Sequence, residues 1–310
     1  MNKVSIIIPS RNERYLTKTV EDIFAKATGE IEVIVILDGS TDYPLPKSRP
    51  NLLFMVKPTP EGLRPALKDA SYMATGKYLL KVDAHCMVSK GFDEVLKKDC
   101  EDNWVVVSRY HALDAEAWLK IDRTHNDYFY LGCPWTNHRI FSFLDVPWKS
   151  RDQARNAIAI DETMAIQASL WFMTADHFHN RLGDLDEEMW GVWSCEQQEI
   201  SLKTWLGGGR VMINKNVWNA HYQRPLIERQ ALTPEYTRRK DAFKHRDFAL
   251  YFLRNEWENQ IHKFEWLVDR FWPLPTPSTR GYGEKYPWPD DWKEIYKDKS
   301  IMKKAEALRE

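Results

Sequence analysis

The chain has 310 residues, of which 43% are hydrophobic and 29% are charged, and its formal net charge is −1. This length accommodates one large domain, or one domain with a sizeable appendage. The balanced charge excludes a global field that would attract nucleic acid or a membrane surface.

The spacing of the cysteines and the lengths of the apolar runs indicate the cellular compartment. Four widely spaced cysteines without a Cys-x-x-Cys pair indicate neither a zinc site nor a disulfide framework. No apolar run approaches the roughly 20 residues of a membrane span, and the first apolar run is too short for a signal peptide. We therefore expect a soluble, cytoplasmic protein without a transmembrane segment.

The first part of the chain alternates between strand and helix patterns. Short β-branched runs and stretches of helical spacing predict a strand at 3–9, a helix at 14–27, strands at 31–37 and 52–56, a helix at 64–73 and a strand at 78–82. Such alternation predicts an α/β fold with a mostly parallel sheet flanked by helices. Ligands bind beyond the carboxyl ends of the strands in such sheets, where Pro9, Asp38 and Asp83 lie.

The pattern loosens after Trp104, and the predicted elements become sparser. We expect strands at 105–107, 170–173 and 211–213, loops over the sheet at 125–157, a helix at 196–206, helical spacing at 234–270 and an irregular stretch at 273–289. These patterns divide the chain into a predicted catalytic domain at 1–224 and a helical, aromatic extension at 225–310 that packs on it.

Asp83 and His85 follow the fourth predicted strand. Side chains two residues apart point to the same side of a strand, so a carboxylate oxygen and an imidazole nitrogen can bind one divalent cation such as Mn²⁺. A nucleotide diphosphate can supply further oxygens. Taken alone, an Asp-x-His pair is more often a turn cap or a surface pair, and the weight of this one depends on the surrounding motifs.

The N-terminal layout resembles glycosyltransferase family 2 enzymes of the GT-A fold. Residues 8–13, Ile-Pro-Ser-Arg-Asn-Glu, are similar to the turn after the first strand of that family. Asp38 matches the aspartate that contacts uracil or ribose, and Asp83-Ala84-His85 stands at the position of the usual Asp-x-Asp metal motif.

The Asp-x-His motif points to one branch, the polypeptide N-acetylgalactosaminyltransferases. Residues 83–86, Asp-Ala-His-Cys, match three of the four positions of that branch's Asp-Ser-His-Cys motif. The segments at 61–64, 74–76 and 193–201 are also similar to this branch, and 217–224 resembles the segment that carries its third metal ligand, at His221. The resemblance covers roughly residues 3–224.

The resemblance implies a donor, a metal and a set of site residues. It implies a UDP-sugar donor and Mn²⁺ or Mg²⁺ bound by Asp83, His85 and His221. The residues implied to contact the donor nucleotide are Pro9, Arg11, Glu13, Asp38, Asp83 and Ala84. Glu196 is expected to touch the sugar or the acceptor hydroxyl, Trp193 to form an apolar wall, and Arg64 to reach the donor. A solvated helix face for Glu196, a plain loop position for His221 and a core position for Trp193 remain open.

The expected stereochemistry of sugar transfer depends on one position at which this chain departs from inverting family 2 enzymes. Inverting family 2 enzymes need a carboxylate base, commonly the aspartate of a Glu-Asp pair, and this chain has Glu196-Gln197 there. The Asp-x-His branch retains configuration, and we expect retention. Glu196 is the alternative base.

The acceptor is left open among DNA with modified bases, a protein and a glycan. Residues 238–246 are rich in cations and precede Phe248, Tyr251, Phe252 and Trp257. Such a pattern suits a phosphate backbone and exposed bases, but an amphipathic helix with its aromatic side chains in the core explains it too. No membrane-anchor or lectin-like pattern with paired cysteines is present, so secreted mucin-type glycosylation is not expected. An inactive nucleotide-sugar or glycan-binding module is the remaining alternative.

Overall fold

The computed structural model describes residues 2–136, 141–193, 195–225, 228, 244–277 and 285–306. The strands in this part of the chain are β1 (Val4–Ser10), β2 (Ile31–Asp38), β3 (Leu52–Lys57), β4 (Tyr78–Val82), β5 (Cys86–Val88), β6 (Trp104–Asp114), β7 (Leu119–Asn126), β8 (Phe129–Leu131), β9 (Asp145–Pro147), β10 (Ile160–Glu162), β11 (Leu170–Thr174) and β12 (Arg210–His221). The α-helices are α1 (Leu16–Lys26), α2 (Leu63–Met73), α3 (Phe92–Lys98), α4 (Lys149–Ala154), α5 (Glu187–Trp190), α6 (Glu196–Leu206), α7 (His245–Leu253), α8 (Phe264–Phe271), α9 (Trp292–Lys297) and α10 (Lys299–Glu306). A 3₁₀ turn (Pro134–Thr136) and a π-helical turn (His177–Arg181) complete them.

A central sheet organises the molecule. Its strand order is β10-β12-β6-β11-β4-β1-β2-β3, with β5 paired to β12 and β7 paired to β6. The neighbouring strands β3, β2, β1 and β4 are parallel, as the βα alternation predicts. Beyond them β11 pairs antiparallel with both β4 and β6, so the sheet is mixed on that side. A small second sheet contains β8 and β9.

Both faces of the sheet are buried. Along β1, Ile7 lies in one apolar cluster, while Ile6 and Ile8 lie in the other, because side chains alternate between the two faces of a strand. The helices α1 and α3 cover the face of Ile6 and Ile8. The helices α2, α6, α7 and α8 cover the face of Ile7. The helix-covered α/β architecture expected from the sequence is therefore confirmed.

The prediction of loops at 125–157 is wrong in part. The described residues of this range include β8, β9 and α4. Tyr128, Tyr130 and Phe143 are fully buried there, and Asp152 accepts hydrogen bonds from the backbone N–H groups of Asp127 and Tyr128. Elements of three to six residues are too short to show a hydrophobic period, and these depend on tertiary contacts.

The C-terminal helices also differ from the expected single run of helical spacing. Within 244–270, α7 and α8 are separate helices, and residues 234–243 lie outside the described part of the chain. The described residues of 273–289 contain neither helix nor strand, as the prolines predict. None of the helices in the described part combines the length and the apolar character that crossing a bilayer requires.

The tryptophan-rich C-terminal segment packs against the rest of the chain. Phe248, Phe252 and Phe264 are fully buried in the same cluster as Ile7 and Ile34 of the sheet. The rings of Trp190 and Phe248 lie 5.1 Å apart in an edge-to-face arrangement, a geometry that aromatic pairs prefer. The domain boundary at residue 224 stays a prediction, since this cluster continues across it.

Replacing Phe252 by alanine should lower the free energy of unfolding by about 3–5 kcal/mol, because the change leaves a cavity in the shared core. Ile261, which is 72% exposed in the same C-terminal region, provides the control: Ile261→Ala should change stability by less than about 0.5 kcal/mol. Urea unfolding of both variants measures the difference. An equally small effect of Phe252→Ala would contradict the packing of α7 on the sheet.

Candidate metal centre and adjoining cavity

Strand pairing brings three separated segments together at one edge of the sheet. Asp83 follows β4 directly, and its backbone N–H donates to the Ser169 carbonyl, 3.0 Å away. The chain then turns into β5, which pairs antiparallel with the end of β12, with Cys86 opposite His221. His85, one residue before Cys86, therefore lies beside His221.

The three side chains form a cluster that suits a divalent cation. Donor atoms of Asp83, His85 and His221 all lie within 4.8 Å of one another. The two imidazole Nε2 atoms are 2.9 Å apart, and Nε2 of His221 is 3.2 Å from Oδ2 of Asp83. Two ligands about 2.1 Å from one cation and at right angles to each other are about 3 Å apart. The donor set and its spacing thus fit a metal ion of the Mn²⁺ or Mg²⁺ class.

Glu13 and Arg224 contact the outer nitrogen of His85. Oε2 of Glu13 is 3.3 Å from His85 Nδ1, Nη2 of Arg224 is 3.1 Å from the same nitrogen, and Arg224 also pairs with Glu13. Burial alone would raise the pKa of Glu13, but the hydrogen bond to His85 and the charges of His85 and Arg224 outweigh it and lower that pKa. A proton on Nδ1 of His85 can be donated to the ionised Glu13, and Nε2 is then the ring nitrogen left as a metal ligand. In this tautomer Arg224, whose guanidinium can only donate, is a partner of Glu13 and not of Nδ1.

The outer ring nitrogen of His221, like that of His85, lies beside a polar side chain. Its Nδ1 atom lies 3.3 Å from the Tyr110 hydroxyl, which accepts a hydrogen bond of 2.8 Å from the Gln223 amide. Burial lowers the pKa of His221, so the imidazole is neutral near pH 7 and its Nε2 lone pair is available to a cation.

Lys81 is the residue that balances the charge of Asp83. Its side chain is 1% exposed, and its Nζ atom lies 2.6 Å from Asp83 Oδ1 and 3.8 Å from Glu196 Oε2. The same ammonium group also donates to the Ala168 carbonyl. Burial would raise the pKa of Asp83, but the charge of Lys81 and the hydrogen bond with His221 lower it far below its usual range. Asp83 is therefore ionised at neutral pH.

The structure places Glu196 behind the cavity. Glu196 is 1% exposed, and its Oε1 atom accepts a hydrogen bond of 2.6 Å from the Trp171 indole. Burial raises its pKa. Its neighbour Gln197 lines the cavity instead and donates a hydrogen bond of 2.9 Å to Asp145 Oδ1.

Arg64 and Trp193, the other two predicted catalytic residues, are not among the described residues that line the cavity beside the candidate metal ligands. The Arg64 guanidinium pairs with Glu199 of α6, and both side chains are fully buried. Lys203 completes this group at 2.7 Å from the other Glu199 oxygen. Trp193 is 39% exposed and does not belong to the described residues that line the cavity.

Asp38 lies at the end of β2, as predicted, and joins it to α2. Its two carboxylate oxygens accept hydrogen bonds from the backbone N–H groups of Glu61 and Gly62, at 2.7 and 3.1 Å. Gly62 has φ +114°, and an added Cβ would lie 2.7 Å from the Val192 carbonyl oxygen, so this close approach requires glycine. The remaining predicted nucleotide contacts lie beside these strand ends: Pro9 in β1, Arg11 just after it and Ala84 within the metal motif.

One cavity of about 630 Å³ adjoins the three candidate metal ligands. It is lined by Asp83, His85, Tyr110, Asn126, Phe129, Asp145, Pro147, Gln167, Ala168, Ser169, Gln197, His221, Tyr222, Gln223 and Arg224. Its size is in the range of small-ligand sites.

The basic and aromatic segment predicted as an acceptor surface is only partly described. Residues 238–243 lie outside the described part of the chain. Phe248, Phe252 and Trp257 are buried in the core, so they cannot stack on exposed bases. The alternative of an amphipathic helix with buried aromatic residues is confirmed for α7.

Sequence reasoning missed several polar residues of the site. Lys81 had a usable signal, since it is two residues before Asp83 on β4 and shares its face. Tyr110 shares the sheet edge of His221 through the pairing of β6 with β12, which the sequence does not reveal. Asp145 lies in the range predicted as loop, and no motif singled it out.

Comparisons with known proteins identify the family that this chain resembles. Residues 5–156 match the family model described as "Glycosyl transferase family 2". Probable N-acetylgalactosaminyltransferase 8 of Caenorhabditis elegans is 29% identical over 154 residues, which are 49% of this chain and 35% of that protein. Polypeptide N-acetylgalactosaminyltransferase 3 of Drosophila melanogaster is 26% identical over 234 residues, 68% of this chain and 33% of that protein. The chain thus spans about a third of the length of these curated relatives.

A solved structure supports the fold. The crystal structure of GalNAc-T7 with UDP, GalNAc and Mn²⁺ superposes with a TM-score of 0.58 at 20% identity, and the match covers 72% of this chain and 44% of that one. The GT-A fold expected from the sequence is therefore confirmed, and so is the resemblance to the polypeptide N-acetylgalactosaminyltransferases.

Arg64→Met should lower the free energy of unfolding by about 3–5 kcal/mol, because it leaves the carboxylate of Glu199 buried without its main partner. The double variant Arg64→Met/Glu199→Met should recover part of this loss, since it removes the Arg64 and Glu199 charges together but takes the carboxylate partner from Lys203. Chemical unfolding of the two variants gives the comparison. A stable Arg64→Met protein with a loss only of donor binding would instead support the donor contact predicted for Arg64.

Proposed function

We propose that this glycosyltransferase, whose residues 5–156 match family 2, transfers a hexose or N-acetylhexosamine from a UDP-sugar in a reaction that depends on a divalent cation. The observation that carries the proposal is the convergence of Asp83, His85 and His221, from three separate segments, on one cavity. Relatives named N-acetylgalactosaminyltransferases and the UDP and Mn²⁺ of the GalNAc-T7 crystal structure support it.

Asp83, His85 and His221 would hold the cation, with Glu13 and Tyr110 fixing the orientation of the two imidazoles. Mn²⁺ held there would supply a Lewis acid to offset the negative charge of a departing UDP. Lys81 keeps Asp83 ionised and holds one of its oxygens, so that the other, Oδ2, faces His221. Preorganisation of this kind avoids the cost of reorienting the ligands during the reaction.

The nucleotide would lie along the carboxyl ends of β1, β2 and β4. Asp38 at the end of β2 is the proposed contact to the uridine, and Pro9, Arg11 and Ala84 lie at the adjacent strand ends. Glu13 would act through His85, since their contact is the one described above. Arg224 supplies a cation beside the metal ligands, suited to a diphosphate oxygen.

Glu196 and Arg64 would act on the site through other residues, and Trp193 would act from the segment before α6. Glu196 contacts Lys81, which in turn holds Asp83. Arg64 anchors α6 through Glu199, and α6 carries Glu196 at its first position. Trp193 belongs to the segment that leads into α6 and would approach the sugar from there.

Asp83→Asn and His221→Ala should each weaken Mn²⁺ binding by about 100-fold or more and abolish metal-dependent UDP release, because each removes a ligand of the proposed cation. Calorimetric titration with Mn²⁺, followed by a UDP-release assay over a panel of UDP-sugars with Mn²⁺ or EDTA, measures both effects. His262→Ala is the control, because His262 stacks on Trp266 in the C-terminal segment. Unchanged Mn²⁺ affinity in both ligand variants would refute the metal centre. Tight Mn²⁺-dependent UDP binding without release from any donor would instead favour a binding module or turnover that requires the acceptor.

The transferred sugar should keep the anomeric configuration of the donor. Gln197 occupies the position at which inverting family 2 enzymes commonly carry their base, and Glu196 is 1% exposed against Trp171. Proton NMR of the first-formed product reports the configuration directly through the coupling of its anomeric proton. An inverted product would contradict the proposal and require a carboxylate base.

A further inference from the structure

Asp145 is a carboxylate of the cavity to which neither the motifs nor the comparisons give a role. It is the first residue of β9, in the small sheet beside the main one. Both Gln197 and Gln198, from the first turn of α6, donate hydrogen bonds to its Oδ1 atom, at 2.9 and 3.0 Å. Two donors on one oxygen fix the orientation of the carboxylate and leave Oδ2 as the oxygen for a further partner.

The charge of Asp145 is not neutralised by a neighbouring cation. Within the described part of the chain, Asp145 forms no ion pair, and the side chains that donate to it are two neutral amides, with its own backbone N–H as a further donor. Burial raises the pKa of Asp145 to about 6. A partly buried carboxylate that is held in place without a cation lowers stability, and such costs are typical of functional positions.

The polar residues that line the cavity differ in the ligand groups that they suit. Arg224 and the candidate metal ligands Asp83, His85 and His221 form the part suited to phosphate oxygens. The other polar lining residues include Asp145 and Gln197, which come from β9 and α6 and carry no positive charge. A carboxylate repels a phosphate but accepts hydrogen bonds from neutral hydroxyl groups, so these residues suit the sugar portion of a donor.

We propose that Asp145 accepts a hydrogen bond from a hydroxyl group of the sugar that is transferred. The proposal rests on the proposed function, since a UDP-sugar carries its sugar on the outer phosphate of the diphosphate, and Asp145 lines the same cavity as the three candidate metal ligands. Gln197 and Gln198 are positioning residues that aim the carboxylate. Asp145 is then a specificity-determining residue, because the position and orientation of sugar hydroxyls distinguish one hexose from another.

The test compares UDP with a UDP-sugar in the presence of Mn²⁺, using the full chain and the donor that wild type binds most tightly in the panel. Asp145→Asn keeps the size of the side chain and removes its charge. It should weaken binding of the UDP-sugar about tenfold, since a hydrogen bond to a charged group is worth more than one to a neutral group. Binding of UDP, which lacks the sugar, should change less than twofold. Asp269→Asn makes the same chemical change at an exposed residue of α8 and should alter neither affinity.

Two results would overturn the assignment. Equal weakening of UDP and UDP-sugar binding would mean that Asp145 only supports the structure around α6. Unchanged affinity for both would mean that no donor hydroxyl reaches it, and would turn attention to the acceptor. Failure of wild type itself to bind UDP with Mn²⁺ would refute the proposed function, which separates that outcome from failure of this inference.

A stability measurement checks that the variant is folded. Asp145→Asn should melt at or above the wild-type temperature at pH 7.5, because the raised pKa means that the ionised carboxylate lowers stability at that pH. If Asp145→Asn does not fold, Gln197→Ala removes one of the two amide donors while retaining the carboxylate. This variant should weaken UDP-sugar binding about threefold and leave UDP binding unchanged, and equal effects on both ligands would again overturn the assignment.

Discussion

The antiparallel pairing of β5 with β12 is the constraint on which the candidate metal centre depends. This pairing sets Cys86 opposite His221 and Val88 opposite Asn219, and it thereby brings His85 beside His221. Because side chains alternate along a strand, a shift of one residue would turn the His221 ring to the other face of the sheet. The centre is thus defined by backbone register first, and the hydrogen bonds of Glu13 and Tyr110 only refine the orientation of rings that already face each other.

Charge balance around Lys81 imposes a second condition. A fully buried ammonium group is costly unless it is paired, and Lys81 lies between Asp83 and Glu196, with the carbonyl of Ala168 as a further acceptor. The burial of Lys81 by itself lowers its pKa, but the two carboxylates outweigh burial and raise it. The Lys81 ammonium is therefore paired with two carboxylates, those of Asp83 and Glu196. Through Glu196 this ion-pair group connects α6 to the end of β4.

The sequence is sufficient to predict the parallel part of the sheet and the three candidate metal ligands. Long β-branched runs such as 31–37 are typical of buried strands. The resemblance of residues 83–86 and 217–224 to known motifs singles out Asp83, His85 and His221. The sequence is insufficient for Glu196 and Asp145. Glu196 and Gln197 are neighbours on a helix, and only the packing of Trp171 decides which of them faces the cavity. Asp145 depends on a three-residue strand whose partner, β8, is equally short, so it carries no periodic signal.

The location of Asp145 has a consequence for the divergence of related enzymes. It belongs to a two-stranded sheet that is separate from the sheet holding β4, β5 and β12. On the role proposed for Asp145, substitutions in β8 and β9 would change the pattern of hydroxyl groups that the cavity accepts and leave the pairing of β5 with β12 intact. Sugar preference and cation binding would then depend on two different sheets, so evolution, or an engineer, could exchange the first while conserving the second.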